Sequence, residues 1–309
     1  MSHFAVLVIG DGVAGQLAPY HEFECTGIVN EFVVTVDETA EHATEFAEFE
    51  RDVAAGFEET AAEWMDSNYG RTVVALGEDP DLEREHKYGW CRVDVNGNLI
   101  ESCRRTNPNA QWDWYVIGGR WNDTILLKDG SKSNSAVIED IDFEKQAAID
   151  EARARTEFRA WRECFDPAQG LQAHLSAETG LAIQPKDLPR SWREILHGDG
   201  TIDEKRAMYH AQPAIKAAKH HPLIKGRWTL NPVEEMGFDE EAYVERERLS
   251  TLIPYALVHE GKWSAKGSMG WWGFSFEEID DPLEWPKKVC ALLHSLPDGT
   301  RITVVDCHT

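Results

Sequence analysis

The sequence predicts an α+β fold whose mostly antiparallel sheet is built from both ends of the chain. Three observations predict it. The apolar runs His3–Ile9 and Arg301–Cys307 are short and rich in β-branched residues, and each lies next to a Gly-bearing turn. Asn96-Gly97 separates two β-type stretches, and this dipeptide favours positive φ at both positions, as a tight hairpin turn requires. Between residues 140 and 252 helical patterns dominate, divided by loops that carry Pro and Gly. The expected organisation is a core domain of 1–139 and 253–309 with packed helices, interrupted by a helical insertion at 140–252.

Each element follows from local pattern. His3–Ile9 is a buried strand that ends at Gly-Asp-Gly, and Leu17–Cys25 is irregular. From Thr39 onward Phe46, Phe49, Val53, Phe57, Ala61 and Trp64 fall on one stripe, which predicts a helix of roughly 25 residues. Asp37 to Thr39 offers its caps. Ten acids and one Arg between Asp37 and Glu63 make its outer face negative. Tyr88–Val95 and Leu99–Arg104 form the hairpin around Asn96-Gly97. Trp112–Ile117 and Thr124–Lys128 read as a second antiparallel pair joined across Gly118-Gly119, and Asp129-Gly130 turns the chain out. Helices are expected at Glu144–Phe165, Thr201–His220 and Asp239–Leu252. Strands follow at Tyr255–His259 and Gly270–Phe276. A helix at Pro282–Leu296 is stopped by Pro297-Asp298-Gly299, and Arg301–Cys307 is the last strand. A helix followed by a strand places a helix on one face of the sheet.

The composition is that of a globular chain of 309 residues, 42 % hydrophobic and 28 % charged. Its outlier is charge: 55 Asp and Glu against 31 Lys and Arg give a formal net charge of −24. Such a surface repels phosphate backbones and anionic lipid, which disfavours nucleic-acid and membrane partners. It suits a well-solvated surface, a basic protein partner or mimicry of DNA. The N-terminal apolar run lacks a basic flank and is too short for a signal sequence, and no run approaches the ~18 apolar residues of a membrane span. The six cysteines contain no CxxC and read as reduced thiols, so the expected compartment is the cytoplasm.

Two stretches could carry chemistry. In the terminal strand VVDCH, Ile302, Val304, Asp306 and His308 share one face, with Asp306 and His308 about 7 Å apart. That spacing suits an orienting carboxylate beside a general base, or two ligands of one metal. If the first strand lies antiparallel to the last, His3 joins them, and Tyr20 to Glu24 could reach the same region. His3, Asp306 and His308 are therefore the candidate ligands of a divalent metal such as Zn²⁺, Mn²⁺ or Fe²⁺. No tight metal-binding spacing supports this, and a polar strand end meeting solvent accounts for the same residues.

The other stretch is NPNAQWDWYVIGGRW, Asn107 to Trp121, which holds three of the twelve tryptophans. As a strand it puts Trp112 and Trp114 on one face, Asp113 and Tyr115 on the other. Asp113 and Arg120 could pair across the turn. One reading is a structural ion pair over an aromatic core of Trp112, Trp114 and Trp121. The other is an aromatic-walled pocket in which Arg120 takes a phosphate or carboxylate through its planar fork. In MGWWGF, Trp271 and Trp272 occupy opposite strand faces, and Trp271 joins Trp112, Trp114, Tyr115 and Trp121 as a candidate ligand contact. GDGVAG at 10–15 has the glycine spacing of a dinucleotide fingerprint, but Pro19 is expected to prevent the helix that should follow. A Cys307–His308 nucleophile is disfavoured because adjacent strand residues face opposite ways. His220-His221 reads as a solvated helix end.

Four stretches together, MSHF at 1–4, NPNAQWDWYVIGGRW at 107–121, GSMGWWG at 267–273 and VVDCH at 304–308, resemble a group of proteins encoded by tailed bacteriophages and prophages. The resemblance covers roughly 1–130 and 254–309. It implies a context, a phage product acting in a bacterial cytoplasm, and no particular reaction. It also implies that His3, Asp113, Arg120, Asp306 and His308, which the shared motifs carry, form one site. Three functions are then open. The first is an enzyme or binder for a phosphorylated or nucleotide-like small molecule, perhaps metal-assisted, with His308, Asp306 and Asp113 catalytic and Arg120 on the anion. The second is an acidic inhibitor of a host or defence protein, acting through the 40–66 helix face. The third is a structural or assembly accessory.

Overall fold

A computed structural model describes residues 3–52, 59–165, 188–224, 231–250, 252–267 and 283–309. The chain divides into two compact units. The first comprises Met1–Thr124, Pro254–Glu277 and Thr300–Thr309, and the second Ile125–Ile253 and Glu278–Gly299. The boundaries thus differ from those expected from sequence: residues 125–139 and the C-terminal helix group with the helical unit.

The first unit is organised on strands β1 (His3–Ile9), β2 (Val34–Asp37), β3 (Thr72–Val73), β4 (Gly89–Val93), β5 (Leu99–Thr106), β6 (Trp114–Ile117), β10 (Ala256–His259), β11 (Lys262–Ala265) and β12 (Arg301–His308). One sheet runs in the order β11-β10-β1-β12-β6. β1 lies antiparallel to β12 from His3↔His308 to Ile9↔Ile302, so the chain ends are paired along the whole of β1. β10 is the parallel neighbour of β1, and β6 is antiparallel to β12. Phe4, Val6, Val8, Val305, Cys307, Ala256 and Val258 fill one face as a buried cluster with Leu17 and Trp112. Strand alternation therefore leaves His3, Asp306 and His308 on the other face.

The second sheet of this unit runs β2-β5-β4-β3. Its β4–β5 hairpin turns at Asn96-Gly97, but only Gly97 takes the expected positive φ, at +88°, and Asn96 does not; the Asp94 carboxylate holds the turn by accepting from the N–H groups of Asn96 and Asn98. Among the described residues four helices belong to this unit: α1 (Val13–Leu17), α2 (Phe23–Thr26), α3 (Thr39–Asp52) and α4 (Ala61–Tyr69). The single long helix expected from Thr39 to Trp64 is therefore two. Thr60 is extended and its hydroxyl accepts from Glu63 N–H, while the Glu63 carboxylate accepts from Thr60 N–H. This capping box starts a new helix in the middle of the apolar stripe. Phe46, Phe49 and Trp64 of the stripe still pack together, on Met65 and Cys91. The expected pairing of Trp112–Ile117 with Thr124–Lys128 is also replaced. β6 pairs with β12, whereas β7 (Ile125–Leu126) pairs with β8 (Lys132–Ser133) in the second unit. The expected strand at Gly270–Phe276 lies outside the described residues.

The second unit also contains β9 (Ser135–Val137) and helices α5 (Phe143–Phe165), α6 (Trp192–Leu196), α7 (Ile202–Ala211), α8 (Pro213–His220), α9 (Pro232–Met236), α10 (Glu240–Leu249) and α11 (Glu284–Ser295). Thr201–His220 is broken at Gln212-Pro213, because proline cannot donate within a helix but fits the first turn of the next one. Trp161, Phe158, Tyr209, Ile215 and Tyr243 form its core, each large buried side chain contributing ~1.5–3 kcal/mol. Among the described residues no helix is long and apolar enough to cross a membrane.

Candidate functional site

The register of β1 against β12 brings the two chain ends into contact. His3 Nδ1 lies 2.8 Å from Asp306 Oδ1, and Asp306 is almost fully buried at 2 % exposure. Arg120 N–H donates to Asp306 Oδ2 at 2.9 Å, so the second carboxylate oxygen is also satisfied. One strand position on, His308 Nδ1 lies 2.8 and 2.9 Å from the two oxygens of Asp113. Asp113 also accepts from Trp114 N–H at 2.7 Å, and its own N–H donates to His308 O. The imidazoles of His3 and His308 stand edge to face with centroids 5.2 Å apart. Trp114 stacks on His308 at 5.1 Å with its ring nearly parallel, and meets His3 edge-on at 5.3 Å.

Two Asp–His dyads therefore sit side by side under one tryptophan. A carboxylate on Nδ1 fixes ring orientation and favours the tautomer with its proton on Nδ1, leaving Nε2 as the free base. Among the described residues no protein group bonds Nε2 of either ring, and neither atom is buried without a partner. The His3 side chain keeps 14 % of its surface exposed and that of His308 6 %, so His3 is the more open of the two rings.

The turn that supplies Arg120 N–H is set by two consecutive glycines in the left-handed region, Gly118 (φ +76°) and Gly119 (φ +53°). A Cβ on Gly119 would stand 2.4 Å from Asp306 Cβ and Oδ2. Glycine is thus required for the backbone to close on the carboxylate.

The structure gathers His3, Asp306, His308, Asp113 and Trp114, and it corrects several pairings. Asp113 pairs with His308 and not with Arg120. The Arg120 side chain is exposed and, among the described residues, has no carboxylate within ion-pair distance. Trp112 and Trp114 do not share a face. The chain bends at Asp113, where the carboxylate takes the next N–H, so Trp112 turns into the core against Tyr115 at 5.0 Å. Trp112 also donates its indole N–H to Leu17 O. Tyr115 and Trp112 are therefore core residues. Trp121 is half-buried in the Gly119–Trp121 turn and, among the described residues, makes no ring contact. Trp271 and Trp272 lie outside the described residues. Of the Tyr20 to Glu24 segment, His21 packs against Trp112 on the core side, the rings tilted with centroids 4.8 Å apart. Among the described residues no three His, Cys, Asp or Glu side chains converge as metal ligands. Each Nδ1 is occupied by its own carboxylate, so the expected His3, Asp306, His308 triad is not arranged around a common point.

Burial, then the neighbouring Asp306 and Asp113 charges, push the Cys307 thiol up. It stays protonated in the core and is no nucleophile. GDGVAG does open a helix, contrary to expectation, but α1 has five residues before Pro19 enters the next turn. The Gln16 side chain donates to Ile9 O and Asp11 O inside that loop.

Sequence reasoning missed a second buried cluster. His42 Nδ1 lies 2.8 Å from Ser102 Oγ, and its Nε2 lies 3.8 Å from Glu38. Arg104 also contacts Glu38, at 2.7 Å. Ser102 is 0 % exposed, so this Ser-His-Glu line knits α3 to β5 and is closed to substrate. No pattern in sequence spacing signals it, because Ser102 lies 60 residues from His42. No family model, curated protein or solved structure matches the chain.

Proposed function

We propose that the paired dyads bind, and act as acid and base upon, a phosphorylated or nucleotide-like small molecule. The observation that carries this is the arrangement of His3 and His308: two adjacent imidazoles, each locked through Nδ1 to its own carboxylate, and neither Nε2 bonded to a protein group among the described residues. Two adjacent imidazoles offer a base and an acid to the same substrate. Trp114, 44 % exposed, offers a ring for stacking, and the exposed Arg120 guanidinium offers an anion fork. The motif resemblance supports a phage-encoded accessory protein of the bacterial cytoplasm as the setting.

The test is proton NMR of the His3 and His308 ring C2–H signals during titration with AMP and with inorganic phosphate. Both signals are expected to move, and to stop moving in Arg120→Ala. Signals that ignore both ligands at millimolar concentration would refute the proposal.

A second reading, an acidic inhibitor of a host or defence protein, is favoured by helix α3, where Glu41, Glu48 and Glu50 are exposed. It requires partner affinity that falls with salt and with reversal of these charges to Lys.

A further inference from the structure

The first half of the tryptophan motif, Asn107 to Gln111, plays no part in the dyads, and it is built with as much care. Asn107 is 2 % exposed. Its amide donates to Pro19 O and His21 O, both at 2.9 Å, while its Oδ1 accepts from Asn109 N–H. Gln111 N–H donates to Tyr20 O. The Tyr20 hydroxyl donates to Gly261 O and accepts from Trp263 N–H, both at 2.8 Å. These bonds tie the Asn107–Gln111 loop to the segment before it and to β11. They enclose an open groove of about 470 Å³ against Pro108, Asn109, Gln111, Lys262, Trp263 and Ser264, within the ~300–1,000 Å³ span of small-molecule sites.

The frame of the groove is fully bonded, but its lining is not. Among the described residues, the side chains of Asn109, Gln111, Lys262 and Ser264 have no hydrogen-bond partner in the chain. The Trp263 indole N–H is buried and, among the described residues, has no acceptor. The Tyr20 hydroxyl is used on both sides, so Tyr20 contributes only its ring, set 5.1 Å from the Trp263 ring. In a chain of net charge −24, no Asp or Glu lines the groove among the described residues, and Lys262 is the one charged residue among them.

We infer that this groove is a carbohydrate-binding site for a unit of about disaccharide size, neutral or carrying a carboxylate. Two side-chain amides and a hydroxyl both donate and accept, which matches sugar hydroxyls that do the same. Two aromatic rings and Pro108 match the C–H faces of sugar rings. Lys262, with no acid nearby in the groove, admits an anionic substituent and selects against a cationic one. Trp263 borders the groove, so its indole signal reports a sugar bound there. The groove is formed by side chains that the dyads do not use, so the inference stands apart from the acid–base reading.

The test is saturation-transfer NMR on the full chain with four probes: cellobiose, maltose, N,N′-diacetylchitobiose and a glucuronate-containing disaccharide. At least one is expected to receive saturation. The indole N–H peak assigned to Trp263, by its loss in Trp263→Phe, is expected to shift with that sugar, because the ring borders the groove. Asn109→Ala with Gln111→Ala, checked for native circular dichroism, should abolish the transfer. Absence of transfer to all four probes overturns the inference. So does transfer that survives in the folded double variant, or transfer that leaves the Trp263 peak unmoved.

Discussion

Replacing Gly119 by alanine tests whether the backbone turn, and not only the side chains, builds the dyad site. Two separate penalties follow from the coordinates. Gly119 has φ +53°, and an L-residue held in that region costs ~1–2 kcal/mol. The new Cβ would also stand 2.4 Å from Asp306 Cβ and Oδ2, and 2.8 Å from Cγ, closer than any real contact. Asp306 cannot step aside, because it is buried and held by His3 at 2.8 Å. The turn must therefore move away, and the Arg120 N–H bond to Oδ2 is lost. A hydrogen bond to a charged group is worth ~1.5–3 kcal/mol, so the sum is roughly 2.5–5 kcal/mol. Gly97→Ala is the control. It carries the same backbone penalty at φ +88° with nothing within 4 Å of its Cβ, so only ~1–2 kcal/mol is expected. Hydrogen exchange of the β1–β12 amides in graded urea reads the first unit alone. Equal destabilisation of the two variants would refute the claim that Gly119 is pressed against Asp306.

Three further outcomes are expected. Asp113→Ala removes the acceptor of both His308 Nδ1 and Trp114 N–H, and should cost about 2–4 kcal/mol in urea unfolding if both donors are left unpaired. Asn107→Ala breaks three bonds at a buried position; a loss of roughly 2–4 kcal/mol is expected, and an unchanged midpoint would show that the loop is not held by this residue. Stability should fall as pH rises above about 9. Burial pushes the Cys91, Cys103 and Cys164 thiols up to about 11, so above the unfolded value the native state binds more protons than the unfolded one and stability declines, by at most ~1.4 kcal/mol per pH unit per thiol. Denaturation at pH 8, 9 and 10 measures this, and substituting Cys91 by Ala should flatten the decline.

What the sequence revealed and what it concealed divide along one physical line. Period-two alternation places His308 and Asp306 on one face of β12 wherever the strand begins. An antiparallel first strand then adds His3 without further information. The hairpin at Asn96-Gly97 is equally local, because its turn chemistry is contained in the dipeptide. The break between α3 and α4 is different. The apolar stripe runs through it in phase, and only the Thr60–Glu63 capping box marks a second helix start. Periodicity reports which side chains face the core, and it is blind to an interruption that keeps the same face buried.

The Asp113 pairing failed for a related reason. Reading Trp112 to Ile117 as one strand assumes that alternation begins at Trp112, but a carboxylate one residue before an N–H can capture it and bend the chain. Asp113 does so, and the bend shifts the pattern by one residue. Trp112 then joins Tyr115 in the core, while Trp114 is left against His308. The same bend frees the other side of the Asp113 carboxylate to hold His308, which an unbroken strand would have turned away. The residue that spoiled the alternation is thus the residue that completes the second dyad. Asp113→Ser provides a way to separate the two roles. Serine can still accept from the next N–H but cannot hold His308 through two oxygens. Trp114 is expected to keep its stacked position, read as an unchanged near-ultraviolet circular dichroism band. The His308 C2–H signal should meanwhile lose its response to AMP. If the band collapses while the response survives, the bend and the dyad are not joined in this residue.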